Sequence, residues 1–196
     1  MQTAAELYST HSATKDDLSI ETASGLEFRI NKPEFRIEDI AHALSMQCRY
    51  TGHTRVFYSV AEHCLLVADL MERYGQGNPF EGLMHDAAEA YLSDIAAPWK
   101  VLLPDYKILE KRIETPLRQH FGLPIEMSPI VKEFDWVALF VEAYFLIPSR
   151  AAKWVSPPGV KERALEVVED EDFELPLFEP HDAALTFLEY FERLRP

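Results

Sequence analysis

The chain should fold as an all-α protein: a single-domain helical bundle with a small irregular segment at its N-terminus. Three observations say so. Beyond residue 36 the apolar residues recur at the three-to-four spacing of helix faces. Recognisable starts and stops, built from Ser, Asn, Gly and Pro, divide those faces into separate helices. Only one short stretch, Leu26-Glu27-Phe28-Arg29-Ile30, alternates as a strand would, and Pro33 soon ends it.

Taken in order, residues 1–36 form the weakly patterned N-terminal segment. Ile37, Ile40, Ala41 and Leu44 then lie on one buried helix face. Ser59, with Glu62 three residues on, is a capping box that opens a helix running to Tyr74, where Gly75 stops it. Asn78-Pro79 opens the next helix, which carries His85, Asp86 and Glu89. Pro104 to Gly122 is a longer helical stretch. Pro116 inside it is expected to bend or split the helix, since an interior proline costs about 3 kcal/mol. Ser128-Pro129 caps and begins a long apolar helix that ends at Pro148, and 148–159 reads as a loop. A short helix over 161–168, the solvated acidic run 169–172 and a final helix near 181–194 complete the chain. The core domain is thus 37–148, with 149–196 closing the same domain.

Composition narrows the function. With 33 acidic against 19 basic residues the formal charge is −14, which repels polyanions and argues against a nucleic-acid polymer as partner. No apolar run approaches the roughly 20 residues of a membrane span, so no membrane partner is expected. The first residues lack the basic and apolar regions of a signal peptide. Cys48 and Cys64 form no short metal-binding pair, and a reduced cytoplasm is the expected compartment.

The chemistry concentrates at His85-Asp86. A histidine and an aspartate side by side on an apolar helix build a core poorly, but imidazole nitrogen and carboxylate oxygen suit borderline divalent ions. Glu89, one turn on, overhangs the same spot. His63 sits one turn into a strongly apolar helix, and Asp135 interrupts another, where an unpaired carboxylate demands a partner. Four such groups on three helices can converge on one ion and leave positions open for water and substrate. Arg49 carries a guanidinium fork suited to phosphate oxygens, and Lys100 follows a turn that swings it back toward the His85-Asp86 helix.

These residues resemble the HD-domain metal-dependent phosphohydrolases. Within them the chain is similar to the small YfbR-type bacterial 5′-deoxynucleotidases and to phage HD-domain dATP triphosphohydrolases. The resemblance runs from about Asp39 to Ala143. It rests on Asp39-Ile40-Ala41-His42-Ala43-Leu44-Ser45, Cys48-Arg49-Tyr50-Thr51-Gly52-His53, Tyr58-Ser59-Val60-Ala61-Glu62-His63, His85-Asp86-Ala87-Ala88-Glu89 with Asp94, and Asp135. It implies metal ligands at His63, His85, Asp86 and Asp135, and catalytic carboxylates at Glu89 and Asp94. It also implies substrate contacts at Arg49, Tyr50 and Lys100.

One divalent ion (Zn, Co, Mn or Mg) is expected, because two-metal relatives supply further histidines between the His-Asp pair and the last aspartate. Here only His120 lies there. The same shortage argues against a di-iron oxygenase. His53 is a candidate pocket residue and His42 a structural one, while His11 and His181 are expected at the surface. Tyr50 and Tyr91 either stack on a base or pack.

The expected activity is hydrolysis at the α-phosphorus of a deoxynucleoside mono- or triphosphate. Glu89 orients or deprotonates water, and Arg49 and Lys100 neutralise the phosphoryl group. A triphosphate needs further cations, for which Lys107, Lys111 and Arg112 are candidates. The competing reading is a catalytically silent nucleotide-binding module. Relatives of this kind are homo-oligomers, and that is the assembly expected.

Overall fold

The computed structural model describes residues 18–147 and 153–196. They are mostly helical, as an all-α chain should be. The irregular N-terminal segment is more ordered than its sequence suggests. Strands β1 (Ser19–Glu21) and β2 (Glu27–Arg29) form an antiparallel hairpin in which Ile20 faces Phe28. Thr22 Oγ1, Ser24 N and Ser24 Oγ all donate to the Asp39 carboxylate, which moors the hairpin to the first helix. Phe28 and Phe35 enter the core from this segment. His11 lies outside the described residues.

Helix α1 (Ile37–Ser45) leads to a short 3-10 turn over Arg49–Gly52 and then to the central helix α2 (Val60–Tyr74). Ser59 Oγ accepts from Glu62 N–H and the Glu62 carboxylate accepts from Ser59 N–H, so the predicted capping box is present. Gly75 ends α2 in the left-handed conformation, again as its position implies. Helix α2 separates two apolar clusters. Its Ala61, Leu65 and Ala68 face α1 and the C-terminal helix. Its Leu66, Leu70 and Met71 face the long helix α7 (Pro129–Leu146) and α8 (Val160–Val168). The last helix, α9 (Pro180–Leu194), packs against α1, α2 and α3.

Between these lie α3 (Pro79–Leu83), α4 (Glu89–Leu92), α5 (Ala97–Lys100) and α6 (Pro104–His120). Helix α3 presses closely on α2: a Cβ at Gly82 would stand 2.6 Å from Met71 Sδ. Three sequence expectations are corrected here. First, the helix opened by Asn78-Pro79 does not continue through His85 and Asp86. It stops at Leu83, residues 84–88 coil as successive turns, and a new helix starts at Glu89. The imidazole Nδ1 of His85 occupies the Gly82 carbonyl at 2.7 Å, the acceptor an α-helix would offer to Asp86 N–H. Second, Pro116 does not split α6, because Ile113 and Leu117 on either side of it are buried in the core and carry the helix across the missing hydrogen bond. Third, Ser128 occupies the cap position of α7 without capping it. Its hydroxyl donates instead to Glu81 Oε2.

No helix among the described residues is long and apolar enough to cross a membrane.

Candidate metal centre

The capping box fixes where α2 begins, and with it the direction of His63, which is fully buried one turn into the helix. His85 and Asp86 come from the turns after α3. There the bonds run from residue i to i+3: Ala87 N–H to Met84 O, and Glu89 N–H to Asp86 O at 2.9 Å. At three residues per turn, side chains three apart eclipse, which sets Glu89 over Asp86. Asp135 comes from α7, on the far side of α2 from α1.

The four groups meet. His85 Nε2 lies 3.2 Å from Asp86 Oδ2 and 4.0 Å from Asp135 Oδ1. His63 Nε2 lies 3.1 Å from Asp135 Oδ1 and 3.7 Å from Asp86 Oδ2. The two imidazole rings stand 5.1 Å apart, centre to centre. Ligand atoms of His63, His85 and Asp86 all fall within 4.8 Å of one another.

The far side of each ring is already engaged. His63 Nδ1 bonds Glu142 Oε1 at 2.6 Å, and His85 Nδ1 bonds the Gly82 carbonyl at 2.7 Å. A carbonyl can only accept, so His85 donates from Nδ1, which leaves Nε2, facing the carboxylates, as the ring atom available to a metal. Both Nε2 atoms are buried, and neither has an aligned hydrogen-bond partner. Buried polar atoms without partners are costly and rare. Two imidazole nitrogens and two carboxylates aimed at one point are a donor set that fits a divalent ion such as zinc, cobalt or manganese. Burial would push the Asp86 carboxyl up, but the His85 and His63 imidazoles and Arg49 outweigh it and hold it well below the usual range. It is therefore ionised and ready to ligate at neutral pH.

Glu89 differs. Burial, and then the Asp86 charge beneath it, push its carboxyl up to about 8, against the opposing pull of Lys100. Its Oε1 accepts from Lys100 Nζ at 2.8 Å, while its Oε2 is buried without a partner. Lys100, the last residue of α5, also bonds Glu110 at 3.1 Å, and its bond to Glu89 returns it to the site as the turn before α5 was expected to. Asp94 is half-buried beside the cluster, and burial pushes its carboxyl up although Arg49 opposes the shift.

Arg49 is buried, with Nη1 3.8 Å from Asp86 Oδ2 and Nε 3.3 Å from Glu142 Oε2. Its Nε has no aligned hydrogen-bond acceptor. Tyr50 donates its hydroxyl to Glu142 Oε2 at 2.6 Å, and its ring lies near-parallel to Trp154. Tyr50 and Thr51 both have φ of 56°, followed by Gly52 at 73°. Left-handed backbone costs a residue with a Cβ roughly 1–2 kcal/mol, so this turn is strained. Tyr91 is taken up by packing, stacked on Phe28 at 4.0 Å.

The other histidines among the described residues stay out of the cluster. His53, offered as a pocket residue, is exposed, and so is His42, expected to be structural. Both sit where the backbone faces solvent, and His181 is exposed as expected. His120, also exposed, packs edge-on against Phe121.

Two residues of the site were not foreseen. Glu142 follows Asp135 by seven residues on α7, two helical turns along the same face, and a buried acid in so apolar a run was a usable signal. Gln47 left none. Its amide donates to Glu89 O and accepts from Asp94 N–H, both at 3.0 Å, and so clamps the two ends of α4.

No protein-family model matches the chain. It is 37% identical over 121 residues to an uncharacterized protein of Rhodobacter capsulatus, covering 56% of this chain and 62% of that one. It is 48% identical over 126 residues to the uncharacterized protein YfdR of Escherichia coli (strain K12), covering 63% of this chain and 69% of YfdR. With that identity over more than two thirds of the relative, the chain belongs to the family of YfdR.

Proposed function

We propose that this chain is a metal-dependent phosphohydrolase of the HD-domain type, cutting at the α-phosphorus of a deoxynucleoside monophosphate. The observation that carries the reading is the convergence of the buried Nε2 atoms of His63 and His85 on the carboxylates of Asp86 and Asp135, with Glu89 beside them. A divalent cation bound there supplies Lewis acidity to a phosphate oxygen and makes nearby water more acidic.

The protein's own groups do the rest. Glu89 offers its unpartnered Oε2 to the attacking water and takes its proton as general base. A carboxyl poised near 8 suits that role better than an ordinary glutamate. As the water oxygen bonds to phosphorus, the P–O ester bond breaks. The leaving oxygen takes up a proton, the one Glu89 removed from the water or one from solvent, to depart as the nucleoside hydroxyl. The guanidinium of Arg49 and the ammonium of Lys100 offset the charge on the phosphoryl oxygens. Gln47 holds Glu89 and Asp94 at a fixed separation. Asp94 accepts from the sugar or from the water network.

The choice of a monophosphate rests on charge. Arg49 and Lys100 are each already faced by two carboxylates, which leaves little positive field for a longer anion. Lys107, Lys111 and Arg112 line a separate groove with Ile108, Thr115 and Pro116, and Lys111 is paired with Glu126.

Incubation with dAMP and with dATP in the presence of manganese or cobalt, with the products resolved, tests the reading. Deoxyadenosine and phosphate from dAMP are expected. Triphosphate release from dATP would replace the monophosphate assignment. Metal and dAMP binding without any product would favour the silent nucleotide-binding module.

A further inference from the structure

Glu142 is fully buried, belongs to the site, and has no part in the reaction proposed above. Three groups meet on its carboxylate. His63 Nδ1 is 2.6 Å from Oε1, the Tyr50 hydroxyl is 2.6 Å from Oε2, and Arg49 Nε is 3.3 Å from Oε2. The arginine can only donate. The tyrosine donates here, and the histidine must donate if its Nε2 is to carry a lone pair. The position therefore demands an acceptor with no proton of its own, and among side chains an ionised carboxylate alone provides one on both oxygens. Burial would push the Glu142 carboxyl up, but Arg49, His63 and Tyr50 together hold it low.

The second arm ends on unusual backbone. Tyr50 and Thr51 are left-handed, and the Tyr50 side chain ties that turn to α7 through Glu142 and the Leu139 carbonyl. Arg49 begins the same turn, so the register of its guanidinium depends on where the turn is moored.

We propose that Glu142 is a positioning residue that sets both halves of the site. It locks His63 as the Nδ1–H tautomer facing the cation, and through Tyr50 it anchors the strained turn that presents Arg49 to phosphate. The first half rests on the metal-centre reading and the second on the phosphohydrolase reading. The experiment below keeps them apart.

Glutamine at this position is the informative substitution, because its amide must turn an N–H toward a donor whichever way it lies. Facing His63, the amide N–H drives the imidazole proton onto Nε2. Facing Tyr50 and Arg49, it loosens the turn. Full-length wild type, Glu142→Gln, Glu142→Ala and Tyr50→Phe are compared in three ways. Cobalt affinity is measured by competition with a chromophoric chelator, together with the visible absorption of bound cobalt. Amide exchange is followed across residues 49–53, and kcat and KM are determined on dAMP.

Glu142→Gln should bind cobalt about 10–100-fold more weakly with shifted absorption bands, as loss of a partner to a ligating histidine does. Tyr50→Phe should leave cobalt affinity close to wild type, speed exchange at the His53 amide, which bonds the Tyr50 carbonyl, and raise KM. Wild-type cobalt affinity and absorption in folded Glu142→Gln and Glu142→Ala variants, the second of which removes the acceptor whichever way an amide would lie, would overturn the first half. Unchanged exchange over 49–53 in Glu142→Gln and Tyr50→Phe would overturn the second. Should Glu142→Gln not fold, proton NMR of the cation-free wild type decides. A far-downfield, exchange-protected His63 Nδ1–H resonance, assigned with a His63→Ala control, is expected, and its absence overturns the proposal. If cobalt affinity and exchange change as expected but no protein turns over dAMP, the role of Glu142 stands and only the phosphohydrolase reading falls.

Discussion

Glu62 and His63 are neighbours on α2, equally buried, and they live under different rules. Glu62 is closed. Its Oε2 accepts from Ser59 N–H and Ser59 Oγ, and its Oε1 accepts from Phe178 N–H at 2.9 Å. Glu81 is closed in the same manner, with Arg118, Ser128 N–H and Ser128 Oγ on its two oxygens. One residue along from Glu62, His63 Nε2 has no aligned partner, and His85 Nε2 and Glu89 Oε2 share that condition. Glu62 and Glu81, buried away from the cluster, have both carboxylate oxygens filled by the protein, whereas Glu89 beside the cluster keeps one oxygen without a partner. Among these three glutamates, all buried, that contrast marks the one beside the His-Asp cluster where burial does not.

The sharpest break comes from the open cluster. Asp86→Ala should abolish both stoichiometric cobalt binding and turnover, because Asp86 lies within 4 Å of both imidazoles; elemental analysis and phosphate release check this. Glu89→Gln should cost about 10²–10⁴-fold in kcat, the usual worth of a positioned base, with metal content intact. If its metal content fell instead, Glu89 would be a ligand and the division of labour would change.

The closed glutamates predict the opposite pattern. Glu81→Ala strands the buried Arg118, and breaking a buried pair from one side costs about 3–5 kcal/mol of stability. Urea unfolding should show that loss while cobalt stoichiometry stays at wild type. A smaller effect concerns pH. A base must be unprotonated, so turnover should rise with pH through a limb set by Glu89, at or below about 8 because a bound cation offsets the repulsion from Asp86. Lys100 lowers the Glu89 carboxyl, so Lys100→Met should move that limb to higher pH; a limb that does not move would detach Lys100 from the base.

Much of this contrast is visible in the sequence, but not its geometry. Helix α2 is legible because its cap, its apolar face and its Gly75 stop agree with one another. His63, His85, Asp86 and Asp135 stand out as polar groups in apolar surroundings. The break at 84–88 is not legible, since Ala87, Ala88 and Ala90 are strong helix formers. What accompanies the break is a tertiary contact, the close seating of Gly82 on Met71, and a local one, the capture of the Gly82 carbonyl by the His85 side chain. The left-handed Tyr50–Thr51 turn is hidden for a similar reason. It is held by Glu142, 92 residues away from Tyr50, and no local pattern records so distant an anchor. Gln47 acts from a stretch with no periodicity at all.

Cobalt-edge anomalous diffraction from cobalt-loaded crystals tests the central claim most directly. A single strong peak bounded by His63 Nε2, His85 Nε2, Asp86 and Asp135 is predicted. Crystals that bind cobalt elsewhere, or show no ion between those two imidazoles, would contradict the metal centre and the hydrolase built upon it.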